Sequence, residues 1–137
     1  EAEAVALGNL GNVAMNQGNY LAARDYHRRA LELHTQLGNP LGQAVDLGNL
    51  GLVAMDEGDY AAARAYLQQA LELHTQLGNP LGQAANLGNL GLLEKELGNS
   101  EAACAALHAS AALKRQIGLA VHPSVQKALD ALHCPEQ

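Results

Sequence analysis

Phenylalanine and tryptophan are absent from the 137 residues, and Tyr20, Tyr26, Tyr60 and Tyr66 are the only aromatics. Basic residues are also scarce. Eight Lys and Arg stand against fourteen Asp and Glu, giving a net charge of −6 and a pI near 5.4. Nucleic-acid binding usually calls for a basic face, often with stacking aromatics, so that class is set aside. Arg24, Arg28 and Arg29 form a local basic cluster, but Asp25 interrupts it and it reads as a solvated helix face. No apolar run approaches the ~20 residues that a membrane span needs. No charged-then-apolar leader is expected at the start. The opening EAEA could be a secretion-processing scar, although Glu3 and Ala4 fit the repeat phase of Gln43 and Ala44 and read as native sequence. Cys104 and Cys134 are too few for a disulfide framework. Cys104 lies between Ala103 and Ala105 and reads as small core packing. Reduced thiols and a cytoplasmic setting are the expectation.

Chemistry-bearing patterns are equally thin. The glycines of GNLGNV and GNPLG are not followed by Gly-Lys-Ser/Thr, so they make no phosphate loop. His34 and His74 hold the same place in successive repeats, and His27 and His34 are seven apart on one helix. Neither pair can share a metal. His108, His122 and His133 show no zinc-site spacing, and no catalytic triad or convergent carboxylate pair is visible. The sequence therefore points to no enzyme, no metal and no cofactor.

What the chain does have is repetition. The run LGNLG occurs at 7–11, 47–51 and 87–91, a period of 40 residues. Residues 7–46 and 47–86 are identical at 29 of 40 positions, which marks a repeat array. The third copy drifts: Ser100 replaces Tyr60, and Cys104 replaces Arg64. A terminal repeat is expected to be atypical, because one of its faces has no neighbouring repeat.

Each copy reads as a helix hairpin. In the second, Asn39 is a good N-cap and Pro40 suits the first helical turn. Gly58 breaks the helix inside a DEGDY turn. Ala63, Leu67, Ala70, Leu71 and Leu73 then recur at helical spacing, and Gly78 stands where a left-handed residue closes a helix. Gly51, Ala54 and Ala63 are small enough to let helices approach closely. The spacing predicts helices over 1–17, 20–37, 40–57, 60–77, 80–97 and 100–117. After Gly118, Pro123 and Ser124 start a last helix with Val125, Ala128, Leu129 and Leu132 in one apolar stripe. This helix is expected to cap the array, with a frayed tail from Cys134. Three repeats (about 1–39, 40–79 and 80–118) and a capping segment over 119–137 follow.

The run NLGNVAMNQGNYLAARDYHRRALEL resembles a tetratricopeptide repeat. The resemblance rests on Leu10, Gly11, Gly18, Tyr20, Ala23, Ala30 and Leu31. It recurs through Leu50, Gly51, Gly58, Tyr60, Ala63, Ala70 and Leu71, then Leu90, Gly91, Gly98 and Ala103. The family's early Trp is replaced by Leu7, Leu47 and Leu87, and its closing Pro by Thr35 and Thr75. The long repeat is similar to those of kinesin light chains, GoLoco-binding spindle regulators, and bacterial signalling ATPases and transcription regulators. The resemblance implies an all-α fold: a right-handed α-solenoid of three helix hairpins plus a C-terminal capping helix. It also implies a protein-interaction scaffold that takes a peptide or protein segment in its concave groove.

In this family the asparagine before the Leu-Gly pair faces the groove, which assigns Asn9, Asn49 and Asn89. A carboxamide both donates and accepts, so it can pair with an extended peptide backbone whatever the peptide's side chains. Gly8, Gly48 and Gly88 beside them would let a ligand chain come close. A mid-helix glycine costs up to ~1 kcal/mol relative to Ala, although packing or plain duplication could also account for these three. Further groove candidates are Val5, Asn12 and Met15; Val45, Leu52, Met55 and Asp56; and Leu92, Lys95 and Glu96. Met15 and Met55 could equally be core. Val5, Gly8, Val45, Gly48 and Ala85 stand where a chaperone-tail clamp would need bases, so that mode is not expected.

Two other readings stay open. The chain could be a structural spacer that self-associates end to end through an uncapped first helix. It could also be the regulatory arm of a larger bacterial ATPase or transcription regulator. The missing N-cap before the first helix suggests a piece of a longer array.

Overall fold

A computed structural model describes residues 1–136, and these form seven α-helices with no strand among them. They are α1 (Ala2–Asn16), α2 (Tyr20–Gln36), α3 (Pro40–Asp56), α4 (Tyr60–Gln76), α5 (Pro80–Glu96), α6 (Ser100–Gln116) and α7 (Pro123–Ala131). The first six lie within a residue of the boundaries that the repeat pattern predicts. The turns are chemically specified. Glycines at 18, 38, 58, 78, 98 and 118 all have φ between 64° and 80°, where a side chain would be strained. Asn39 and Asn79 cap α3 and α5 by accepting the N–H of Gly42 and Gly82. No helix among the described residues is long and apolar enough to cross a membrane.

The chain divides into two compact units, Glu1–Leu73 and His74–Gln137, and the division falls inside α4. In the first unit α1 packs on α2 and α2 on α3. In the second α5 packs on α6, and α7 lies against both. One recurrent contact sets the hairpins. A Cβ at Gly51 would lie 2.7 Å from Leu67 Cγ, and a Cβ at Gly91 would lie 2.6 Å from Leu107 Cγ. No side chain fits there, so the glycine lets the second helix of the hairpin press a leucine onto the backbone of the first. Ala23, Ala63 and Ala103 are fully buried at the same crossings.

The first hairpin differs at this contact. His27 takes the place held by Leu67 and Leu107 and lies under Gly11, 2.6 Å from where its Cβ would be. The ring is 1% exposed, and its Nδ1 has no hydrogen-bond partner. Burial holds the imidazole below its ordinary pKa.

The C-terminal end departs from expectation in three ways. α7 stops at Ala131, because His133 adopts a left-handed φ of 51°. Cys104 and Cys134 are not reduced thiols but form a disulfide, with Cα atoms 5.5 Å apart. The tail from Cys134 is tied rather than frayed, since Pro135 O also bonds His108 Nε2 at 2.7 Å. The physical cause is shared. The stripe Val125, Ala128 and Leu129 buries against Leu107, and this folds α7 back along α6 and brings Cys134 to Cys104. Sequence spacing could not show that return.

Burial also depresses His74, so the unfolded chain protonates before the folded one as pH falls. The stability contributed by neutral His27 and His74 is therefore complete above about pH 6.5 and declines below it. His27→Leu is expected to raise stability at pH 7.5 by about 1–2 kcal/mol, since it removes an unpaired buried polar atom. It should also flatten the loss between pH 7.5 and 5.5. Urea unfolding at the two pH values measures both effects. Equal stabilities for wild type and variant at both would show that the ring is satisfied.

Candidate functional site

The first unit holds a cavity of about 290 Å³ between α1 and α3. The helical rise turns Val5, Gly8, Asn9 and Asn12 of α1 towards it, and Val45 and Asn49 of α3 face it from the other side. The family resemblance had singled out Asn9 and Asn49, and Val5, Gly8, Asn12 and Val45 were candidates from their places around these asparagines on the helix. Gly8 is not demanded by packing: a Cβ there would meet no atom within 4 Å. The carboxamides of Asn9, Asn12 and Asn49 make no hydrogen bond among the described residues, so their donors and acceptors stay open to the cavity.

A buried pair lines the same cavity. His34 comes from the last turn of α2 and Asp46 from α3, with Nδ1 and Oδ2 2.5 Å apart. Burial pushes the Asp46 carboxyl above the usual carboxylate range, and the His34 hydrogen bond and charge pull it back. On the other side of the ring, Nε2 lies 3.4 Å from Glu1 Oε1. Asn39 Nδ2 donates to both Glu1 oxygens at 3.2 Å. His34 thus bridges two carboxylates. Gly42 is needed here, because any side chain would run into the His34 ring.

The second unit holds a cavity of about 210 Å³ among α5, α6 and α7. Ala85, Gly88, Asn89 and Leu92 line it from α5, at the repeat positions of Val5, Gly8, Asn9 and Asn12. Here the glycine does have a packing reason: a Cβ at Gly88 would come 3.1 Å from Val125 Cγ2 and 3.3 Å from Ser110 Oγ. Ser110 Oγ donates to Ala84 O. The remaining lining includes Lys114 of α6, with His122 and Ser124 at the start of α7.

The other candidates are placed differently. Met15 packs against the buried set Ala14, Ala23 and Val53. Leu92 packs against Leu107 and Val125 while still lining its cavity. Leu52, Met55, Asp56, Lys95 and Glu96 line neither cavity. Leu52, Asp56 and Glu96 are exposed, and Met55 and Lys95 are half-buried. Two of the three clustered arginines have partners: Arg24 pairs with Glu57, and Arg29 lies over Tyr26 and 3.7 Å from Asp25.

Reading the sequence for ligand-facing asparagines missed His34, Asp46 and Lys114. A signal existed. His34, His74 and Lys114 recur at the 40-residue period in the last turn of each hairpin's second helix. His34 and His74 drew attention only as metal ligands, and the place of His34 and Lys114 beside the cavities comes from the way the hairpins fold.

The His34–Asp46 pair makes a stability prediction. His34→Ala leaves a buried carboxylate without its partner and is expected to cost about 3 kcal/mol at neutral pH. Asp46→Asn, the residue that the next repeat carries at Asn86, removes the charge and should cost less than about 1 kcal/mol. Chemical denaturation of the two variants and the double variant gives the coupling. Equal costs for both single variants would mean that the pair is not the source of the effect.

A family model described as the tetratricopeptide repeat matches the chain twice, over residues 2–53 and 43–116. No curated protein matches it.

Proposed function

We propose, from the premise that the chain belongs to the tetratricopeptide-repeat family, that it binds an extended segment of a partner protein through its first-helix asparagines. Repeats of this family generally mediate protein–protein interaction. The finer reading rests on one observation. Asn9 and Asn49, one period apart, open onto a single cavity with uncommitted carboxamides, beside a glycine that packing does not require.

Each carboxamide can accept a peptide N–H and donate to a peptide C=O, so capture needs no particular ligand side chain. Asn89 has the same freedom in its own cavity, and we assign it the same role. Val5 and Val45, both about half exposed, offer an apolar surface for ligand side chains. Asn12 adds a polar choice. Cytoplasmic placement rested on reduced thiols, and the Cys104–Cys134 bond removes that support.

The test is a random-peptide display selection on the chain, with Asn49→Ala alongside. Extended peptides should be enriched, and the variant should bind them about five-fold more weakly with an unchanged melting temperature. If the variant binds like wild type, the asparagines do not hold the ligand backbone.

A second reading is stacking onto another helical repeat. Leu10 and Val13 of α1 are 46% and 51% exposed, whereas Leu50 and Val53, at the same repeat positions in α3, are each 2% exposed. α1 therefore presents an apolar face that its counterpart buries. If a second copy covers it, sedimentation should show concentration-dependent association that Leu10→Glu abolishes. A monomer at all concentrations removes self-association from consideration.

A further inference from the structure

The two cavities differ in charge chemistry at one repeat position. In the first unit His34 lies between the carboxylates of Asp46 and Glu1. Two periods on, its place is taken by Lys114, and the two acids are gone. Leu81 stands where Glu1 would be, and Gln126 where Asp46 would be. Gln126 turns away and donates to Asp130 Oδ1 at 3.0 Å. Lys114 is half-buried, and its ammonium pairs with no carboxylate among the described residues. No Asp or Glu lines its cavity.

The other polar groups there are largely committed. Ser110 Oγ donates to Ala84 O, and His122 Nδ1 is bonded to Ser124. Lys114 and the Asn89 carboxamide are left to meet a ligand. Both can donate to a carboxylate, and donors to an ionised acceptor form the stronger class of hydrogen bond. Ala84, Ala85, Leu92 and Val125 give the cavity apolar walls, and about 210 Å³ accommodates a side chain rather than a folded element.

We propose that this cavity is a subsite for an acidic side chain, Asp or Glu, of the bound segment, with Lys114 as its counter-ion and Asn89 beside it. The proposal rests on the peptide-binding role assigned to Asn89 above and gives this cavity a selectivity which backbone capture alone lacks. The carboxylate comes from a side chain and not from a chain terminus, because Asn89 is assigned to backbone that continues past the cavity.

The experiment is the same display selection on the full chain, compared for wild type, Lys114→Gln and Lys114→Glu. Soluble C-terminally amidated versions of the enriched peptides are then titrated. Wild type should enrich Asp or Glu at one fixed position and prefer it to Asn or Gln by about two- to five-fold. Lys114→Gln should retain the peptides and lose that preference, and Lys114→Glu should select Lys or Arg at the same position. Circular dichroism of the variants should match wild type, since Lys114 makes no ion pair within the protein. Peptides that bind without an acidic preference, or a preference that survives Lys114→Gln, would overturn the subsite and leave the groove reading intact. A preference that vanishes on amidation would assign the cavity to a terminal carboxylate instead and overturn the side-chain proposal. If no peptide binds, both readings fall together.

Discussion

The contact between a first-helix glycine and the residue pressed onto it carries each hairpin. At Gly51 and Gly91 the partner is a leucine that is 0% exposed, and the space between helix backbone and side chain leaves no room for a methyl group. Dispersion and burial both favour this close approach, because the leucine loses its whole apolar surface to the opposing backbone. The chain has no Phe or Trp to fill wider gaps. Short inter-helix distances held by Gly and Ala are the alternative way to reach interior packing density. Within each hairpin this close approach fixes which face of the first helix turns outward, and Asn9, Asn49 and Asn89 stand on that face.

The same geometry accounts for the polar groups in the interior. A residue in the last turn of a second helix meets the start of the next first helix. His34 meets Gly42 there, and His74 meets Gly82. Each ring fits only because the opposing residue is glycine. The ring then needs a polar partner or must stay neutral. His34 has Asp46 at 2.5 Å, and His74 Nδ1 lies 3.1 Å from Asn79 Nδ2. The near-identical repeats thus diverge in how they treat one buried position. Asp46 brings a charge into the first unit, and Asn86 stands at the same place in the second with its Oδ1 unpartnered. Lys114 carries the divergence to the last hairpin.

α7 covers the apolar side of the third hairpin. Val125 sits over Gly88, and Leu129 and Ala128 cover Leu107. The Cys104–Cys134 bond then closes a segment spanning 30 residues of sequence, which limits the freedom of α7 in the unfolded chain as well as in the folded one. In return α7 brings His122 and Ser124 to the wall of the second cavity. The cap is therefore also part of a candidate site.

Helix number, the boundaries of α1 to α6 and the repeat phase were determined by the sequence alone. They depend on local rules: Asn caps, Pro in the first turn, glycine where φ must be positive, and apolar spacing. Asn9 and Asn49 were named from the family resemblance, and Val5 and Val45 from lying one turn away on the same helix face; all four line one cavity. Tertiary structure decided what two helices bring together. It paired His34 with Asp46, left Lys114 without a carboxylate, joined Cys104 to Cys134, and put Met15 against Val53. It also separated Gly8, which faces open space, from Gly88, which Val125 covers. Identical residues at identical repeat positions cannot signal that difference, because it depends on which helix packs next to them.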